Sequence, residues 1–161
     1  MPIKDIQHAM PLGKLCSMIT KPYFGALLAK TEKLGIEKNF SVLIMIEKKQ
    51  ACTQQFISDT LQIDKVSMVK IIDGFSKQGL VKREQNAKDR REYFIELTAK
   101  GRKLMPRIHK AINELNEVAF EGISKKDREH FYKLLVRVAD NVKDFPSSHV
   151  IVYKAAKRKK V

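Results

Sequence analysis

The chain has 161 residues, which suits one domain or one domain with appended helices. Hydrophobic residues make up 43% and glycine and proline number only 7 and 5, so the composition excludes a disordered chain and favours a helix-rich protein. The formal net charge of +14 attracts polyanions, nucleic acid ahead of a membrane surface, although a basic surface without any partner is the simpler alternative.

No targeting, membrane-spanning or catalytic segment is predicted. The first ten residues lack the apolar core of a signal peptide, and the longest apolar run, residues 42–46, is far shorter than the roughly 20 residues of a membrane span. Cys16 and Cys52 have no metal-type spacing, so we expect two free thiols in a reducing cytoplasm. Histidine pairs at ligand spacing, paired carboxylates and a glycine-rich phosphate loop are missing, so we expect no metal, no cofactor and no enzymatic activity.

Two helices are predicted in the N-terminal part. Apolar residues at helical spacing predict a helix over residues 10–34, which Pro22 should kink or split and Gly35 should end. A second helix, over about 38–49, is apolar over most of its girth, which is typical of a helix buried in the middle of a domain.

A short helix, a tight turn and an amphipathic helix follow. Thr53 caps the short helix, residues 53–61, and the turn occupies residues 62–64. The predicted inner face of the short helix consists of Phe56, Ile57 and Leu61. The next helix, residues 65–78, has one apolar stripe, an opposite face that is small, polar or basic, and Gly79 at its end. The stripe comprises Met68, Ile71, Ile72 and Phe75.

After residue 79 the apolar residues first alternate with polar ones, as in strands, and then return to helical spacing. Residues 80–84 and 92–97 predict two strands of a hairpin, the wing, with a polar and basic tip. Thr98 then caps a helix that runs to about Ala119. Its apolar seam comprises Leu104, Ile108, Ala111, Ile112, Leu115 and Val118.

A final helix is predicted after a break at Gly122. Ser124 caps it, and it runs to about Val142. Its apolar face comprises Phe131, Leu134, Leu135 and Val138. The last segment, residues 145–161, carries five basic side chains and no acidic one, so we expect it to be an arm that attracts phosphates.

This order of elements suits DNA recognition. A helix with one packed and one open face fits the major groove, and the short helix before it supplies the supporting half of a helix-turn-helix. The basic hairpin is suited to the adjacent minor groove or the phosphates. Residues 48–103 contain 13 Lys and Arg against 7 Asp and Glu, so the charge excess is concentrated at the predicted DNA surface.

Four short motifs carry a family resemblance. They are Asp64-Lys65, Gly79-Leu80-Val81, Asp89-Arg90-Arg91 and Leu97-Thr98-Ala99-Lys100-Gly101. Together they closely resemble the MarR family of transcriptional regulators, most specifically over residues 53–101. The resemblance implies a mainly α fold with a small β-hairpin wing, in a homodimer that binds double-stranded DNA at a pseudo-palindromic operator. Residues 1–36 and 99–145 would form the dimerisation region, residues 37–98 the winged helix-turn-helix lobe, and residues 146–161 a basic tail.

The resemblance also implies roles for individual residues. On the recognition helix, the groove-facing residues would be Lys65, Val66, Ser67, Val69 and Lys70. At the wing, Arg90 would enter the minor groove and Lys88 would contact phosphate. Asp89 would hold Arg91 by an ion pair.

Regulation is open to several interpretations. A small-molecule effector is implied by resemblance, with candidate pocket residues Tyr23, Phe24, Phe40 and Met45, although aromatic residues at helical spacing are also typical of a simple core. Cys16 lies in a Leu-Cys context similar to that of peroxide-sensing members, so the resemblance implies a redox sensor, but a packing role is the better interpretation because cysteine is often a small buried hydrophobe. A low-specificity architectural DNA binder, driven by the basic tail, is the remaining alternative.

Overall fold

The computed structural model describes residues 9–36, 39–86 and 92–144, and the predicted order of helices and strands is confirmed there. The helices are α1 (Leu12–Thr31), α2 (Phe40–Lys49), α3 (Gln54–Leu61), α4 (Lys65–Lys77), α5 (Ala99–Ala119) and α6 (Lys125–Val142). The strands are β1 (Cys52–Thr53), β2 (Val81–Gln85) and β3 (Tyr93–Leu97), and a 3-10 helix, Glu32–Leu34, follows α1. None of the helices in these three ranges combines the length and the apolar character that a membrane span requires.

The chain divides into two compact units, one up to Ala119 and one from Phe120. The core of the first unit is built around α2, which is buried along most of its length as its broad apolar surface predicts. The buried side chains of α2 are Phe40, Val42, Leu43 and Ile46. Side chains of α1, α3, α4, the sheet and α5 complete this core.

The wing belongs to a three-stranded antiparallel sheet in the order β1-β3-β2. The hairpin of β2 and β3 was predicted, but β1 was not, because two residues are too short to show alternation. In β1, Cys52 lies opposite Ile95 of β3, and both side chains are buried. The strand before α3 therefore attaches the helix-turn-helix directly to the wing.

Pro22 does not split α1, which was one of the two outcomes expected from the sequence. The helix runs unbroken from Leu12 to Thr31, and α5 likewise contains Pro106 in its interior. A proline removes one backbone hydrogen bond, and at an exposed position such as these two, water can reach the carbonyl that is left over. Gly35 has a φ of +66° and ends the 3-10 helix in the left-handed conformation, as predicted for a stop at this position.

The inner faces of two helices differ from the prediction. On α3, Phe56 is 40% exposed, whereas Ser58 is buried beside Ile57. At its outer position the Phe56 ring contacts the Lys49 ammonium of α2, which lies 5.2 Å from the ring centroid. On α5, the predicted seam is buried or half-buried except for Val118, which is 68% exposed near the end of the helix.

The second unit is built on α6. The Ser124 hydroxyl caps this helix by accepting a hydrogen bond from the Asp127 N–H, as predicted. Gly122, with a φ of +75°, separates α6 from α5. Phe120, Phe131 and Tyr132 form a cluster of edge-to-face rings. No residue of α6 is buried, and its predicted apolar face is largely exposed.

Candidate nucleic-acid interface

The turn between α3 and α4 is fixed by backbone and side-chain hydrogen bonds. Helix α3 begins at Thr53, whose hydroxyl accepts from the Phe56 N–H at 3.1 Å, and ends at Gln62 in the left-handed conformation. The buried Ser58 closes the turn, because its hydroxyl donates to the Ile63 carbonyl and its own carbonyl accepts from the Ile63 N–H at 3.0 Å. These bonds set the direction in which α4 leaves the turn.

Helix α4 begins at Asp64, which caps it. The carboxylate accepts a hydrogen bond from the Ser67 N–H at 2.9 Å. Hydrogen bonding with the Ser67 side chain first, and with its N–H second, holds the pKa of the exposed Asp64 below its ordinary value. Gly79, with a φ of +69°, follows the helix in the left-handed conformation. Asp64 and Gly79 are both part of the family-like motifs, and the structure gives each of them a local backbone role.

The two faces of α4 are as the sequence predicts. Met68, Ile72 and Phe75 are buried in the core, and Ile71 is half-buried. On the other side Val66 is 64% exposed and Val69 is 41% exposed. Lys65 and Lys70 are exposed beside them, and Ser67 is half-buried. The five predicted groove residues therefore lie on one helix, and four of them are open to solvent.

The wing is joined to α4 by an ion pair that the sequence analysis did not identify. The Arg83 guanidinium of β2 lies 2.7 Å from the Asp73 carboxylate of α4. The signal available in the sequence was an acid on the polar face of the helix followed by a base on the strand. The pair is about one-third exposed or more on both sides, so it contributes positioning more than stability.

Lys82 of β2 shows that not every cation of the wing is available to DNA. Hydrogen bonds to Glu84 and then to Glu96 raise its pKa, with Nζ 2.9 Å and 3.3 Å from the two carboxylates. These acids compensate its charge on the sheet surface. The predicted tip residues, Lys88, Asp89, Arg90 and Arg91, lie outside the described residues. At the base of the tip, the Asn86 side-chain amide and N–H both donate to Glu92, which closes the hairpin.

The candidate effector residues lie near the α1–α5 contact. The rings of Tyr23 and Phe24 are 5.9 Å apart, and those of Phe24 and Phe40 are 6.0 Å apart. The Tyr23 hydroxyl donates to the Asn116 side-chain oxygen of α5 at 2.6 Å. Phe40 is buried in the core and Met45 is half-buried against it. These contacts are those of side chains that pack against one another. An effector role for the four residues stays a prediction.

The two cysteines differ in accessibility. Both are free thiols, with Cys16 half-buried on α1 and Cys52 buried in β1. Burial raises the pKa of the Cys52 thiol, and the nearby Lys49 ammonium opposes this rise only in part. Of the two, Cys16 is the better placed to react with a solvent oxidant.

Comparison with known proteins supports the same fold. The sequence profile of the MarR family matches residues 37–93. A MarR transcriptional regulator from Methanosarcina mazei Go1 is 30% identical, and the superposition covers 82% of this chain and 96% of that one with a TM-score of 0.74. A mutant of MarR from Escherichia coli, crystallised with operator DNA, is 22% identical, with 83% and 96% covered and a TM-score of 0.72. Among curated proteins, the HTH-type transcriptional regulator BilQ of Clostridium symbiosum (strain WAL-14163) is 22% identical over 96 residues, which are 60% of this chain and 67% of that protein.

Proposed function

This chain belongs to the MarR family of transcriptional regulators, and we propose that it regulates transcription by binding double-stranded DNA as a homodimer. Its operator would be a pseudo-palindrome, and a small ligand would modulate the binding. A protein with this role works where the chromosome lies, so a cytoplasmic location is part of the proposal.

The observation that carries the proposal is the outer face of α4. Two exposed valines, Val66 and Val69, stand between the exposed amines of Lys65 and Lys70. Exposed aliphatic side chains contribute nothing to folding, but they fit the thymine methyl groups of the major groove. The amines are suited to guanine edges or phosphates, and the Ser67 hydroxyl to either.

The wing supplies the second contact in this proposal. By family resemblance, Arg90 enters the minor groove, Lys88 contacts phosphate, and Asp89 orients Arg91. The closed base of the hairpin at Asn86 and the ion pair between Arg83 and α4 support a wing held in a fixed direction beside the recognition helix. With valines at the groove face, minor-groove shape would supply a substantial share of the specificity.

Dimerisation is supported by apolar surface that the single chain leaves open. On α1, Leu12 is 54% exposed and Ile19 is 57% exposed, and α6 has no buried residue at all. Large apolar side chains that stay exposed on a helix are typical of an interface between protein chains. We therefore assign the outer helices, within residues 1–36 and 99–145, to the dimer contact. Two recognition helices would then enter successive major grooves, about 10 bp apart between half-site centres.

Selection from random double-stranded DNA tests the proposal most directly. The purified protein should enrich an inverted repeat whose half-sites are about one helical turn apart. Recovery of a consensus without twofold symmetry would contradict the dimer, and recovery of no consensus would contradict sequence recognition altogether. Sedimentation of the complex gives the protein-to-DNA ratio independently.

A pair of variants tests the wing on the selected site. Arg90→Ala should weaken operator binding by about 1–3 kcal/mol while leaving the oligomeric state unchanged. Lys110→Ala removes the same charge from an exposed position of α5 and serves as the control. Equal affinity of the two variants would remove Arg90 from the mechanism without affecting the role of α4.

A further inference from the structure

The first residue of β3, Tyr93, leaves much of its ring exposed on the side of the sheet that packs against the helices. Side chains alternate along a strand, so Tyr93, Ile95 and Leu97 project from the same face. Ile95 and Leu97 are 1% and 4% exposed in the core, whereas Tyr93 is 47% exposed. The ring therefore lies on the core side of the sheet but beyond the edge of the core.

The same face of the sheet makes the contact with the recognition helix. The residue of β2 opposite Ile95 is Arg83, whose guanidinium lies 2.7 Å from the Asp73 carboxylate of α4. The residue of β2 opposite Tyr93 is Gln85, two positions farther along the strand. Because two residues of a strand span roughly 7 Å, Tyr93 lies about that far beyond the ion pair, on the side of the hairpin that faces α4.

Strand β2 runs back along α4. The chain turns directly after the helix, and Arg83, the third residue of β2, already lies beside Asp73, about one turn before the helix ends. One turn of a helix is about 5.4 Å long, so the next two residues of the strand pass roughly one further turn. This direction carries Tyr93 toward the middle of α4, where Val69 and Lys70 are exposed.

A sugar-phosphate strand would cross this position, an inference that rests on the proposed function. With α4 in a major groove and the hairpin in the adjacent minor groove, the two contacts lie on either side of one DNA backbone. The exposed ring of Tyr93 belongs to the protein surface between them. A tyrosine hydroxyl is among the groups that bind phosphate oxygens and fix the register of a protein on DNA. We propose that Tyr93 donates a hydrogen bond to the phosphate between these two grooves.

A solvated strand residue is the simpler alternative, because tyrosine is common in strands. The opposite face of the hairpin favours the phosphate contact. There Lys82 is held between the carboxylates of Glu84 and Glu96, so that face carries more negative than positive charge and would repel a phosphate strand. On the face toward α4, the Tyr93 hydroxyl has no hydrogen-bond partner among the residues that the structure describes. A DNA backbone is thus directed to the face on which this donor lies.

Tyr93→Phe tests the contact because it keeps the ring and removes only the hydroxyl. The variant should bind the selected operator about three- to tenfold more weakly, since one hydrogen bond to a charged group at an exposed site is lost. Its thermal unfolding should match that of the unmodified protein. A lowered unfolding temperature would assign the hydroxyl to the fold instead, and an unchanged operator affinity would reject the contact.

Replacement of single phosphates by methylphosphonate locates the partner of the hydroxyl. This substitution removes the negative charge and one acceptor oxygen, and each other position of the operator serves as a control for the one between the grooves. The unmodified protein should lose affinity at that position, and Tyr93→Phe should lose severalfold less there but equally elsewhere. Such non-additivity at one phosphate is the signature of a direct contact. Additive losses at every phosphate would overturn the proposal.

The type of contact is tested by operators with altered base sequence. A phosphate contact carries no sequence information, so Tyr93→Phe should weaken binding to all of them by about the same factor. A factor that changes with one base pair would assign the hydroxyl to a base edge and contradict the proposal. If the unmodified protein bound no DNA, the proposed function itself would fail. Operator binding that does not depend on Tyr93 would reject only the phosphate contact.

Discussion

Among the glycines of the described chain, Gly101 has the least space for an added Cβ atom. A Cβ atom at this position would lie 2.1 Å from the Leu80 carbonyl oxygen and 3.2 Å from the Leu97 side chain. Thr98 completes the contact, since its hydroxyl donates to the Gly79 carbonyl at 2.6 Å and accepts from the Gly101 N–H at 3.0 Å. The motif Leu97-Thr98-Ala99-Lys100-Gly101 thus has a physical reason, which is the close approach of α5 to the chain that leaves α4.

Replacement of Gly101 by alanine should therefore destabilise the protein. The clash is with backbone, which cannot rotate away, so we expect a loss of about 1–3 kcal/mol in the free energy of unfolding measured with denaturant. Gly74→Ala is the control, because Gly74 lies within α4 with no atom within 4 Å of the added carbon. It should raise stability by about 0.5–1 kcal/mol. A Gly101→Ala protein as stable as the Gly74→Ala protein would contradict the close approach of Gly101 to the Leu80 carbonyl.

The two thiols should differ in reactivity. At protein concentrations low enough to dissociate the proposed dimer, iodoacetamide should label Cys16 in the folded chain, whereas Cys52, which is buried with a raised pKa, should be protected until the protein unfolds. Mass spectrometry after brief labelling gives both fractions, and the same readout after mild peroxide tests the redox alternative. Labelling of Cys52 at the rate of Cys16 would contradict the attachment of β1 to the sheet.

At the scale of elements, the start of α4 depends on one carboxylate. The folded protein lowers the pKa of Asp64, so the cap stabilises α4 fully above the ordinary aspartate range. This contribution begins to be lost within that range and is gone once the pH has fallen through the lowered pKa of the folded protein, where the carboxylate is protonated. Asp64→Asn keeps a capping side chain that does not titrate there.

The Asp64→Asn variant tests the pH dependence of this cap. Urea unfolding should show the original protein to be the more stable at neutral pH, with a difference that shrinks as the pH falls below the ordinary aspartate range and Asp64 becomes protonated in the folded protein. Asp140→Asn, which removes the same charge from an exposed position of α6, serves as the control. A difference that stays constant with pH would mean that Asp64 does not act through its charge.

The sequence predicted helices and caps well because those signals are local. Thr53, Thr98 and Ser124 each accept the predicted capping bond, and the stripe on α4 is buried. The sequence did not predict the contacts between separate elements of the fold. The partner strand β1 and the Asp73–Arg83 pair depend on chain segments that meet only in the fold. The inner face of α3 was also predicted wrongly at Phe56, because the rotation of so short a helix about its axis is set by its contacts with the rest of the core.

At the scale of the whole molecule, the open apolar surface predicts that stability depends on association. If the exposed faces of α1 and α6 are buried in a homodimer, the thermal midpoint should rise when the protein concentration is raised about a hundredfold. Calorimetry at several concentrations, together with sedimentation equilibrium, measures both quantities. A midpoint independent of concentration in a species of single-chain mass would contradict the dimer.

Deletion of residues 154–161 distinguishes a specific regulator from an architectural binder. The deletion removes five cations, so the slope of log affinity against log salt should fall by no more than about 4.5. Discrimination between the selected site and unrelated DNA should survive in a regulator. Loss of most affinity for all DNA, in a protein that discriminated little between sites before the deletion, would identify an architectural binder.

The contact of Gly101 with Leu80 also has a mechanical consequence. Helix α5 has 21 residues, and a straight helix of that size is about 30 Å long, so a tilt of about 5° displaces its far end by about 2.6 Å. Because the first turn of α5 contacts the chain that leaves α4, a tilt of α5 would carry the recognition helix with it. In the proposed homodimer, a displacement of this size would change the spacing of the two recognition helices relative to the helical repeat of DNA.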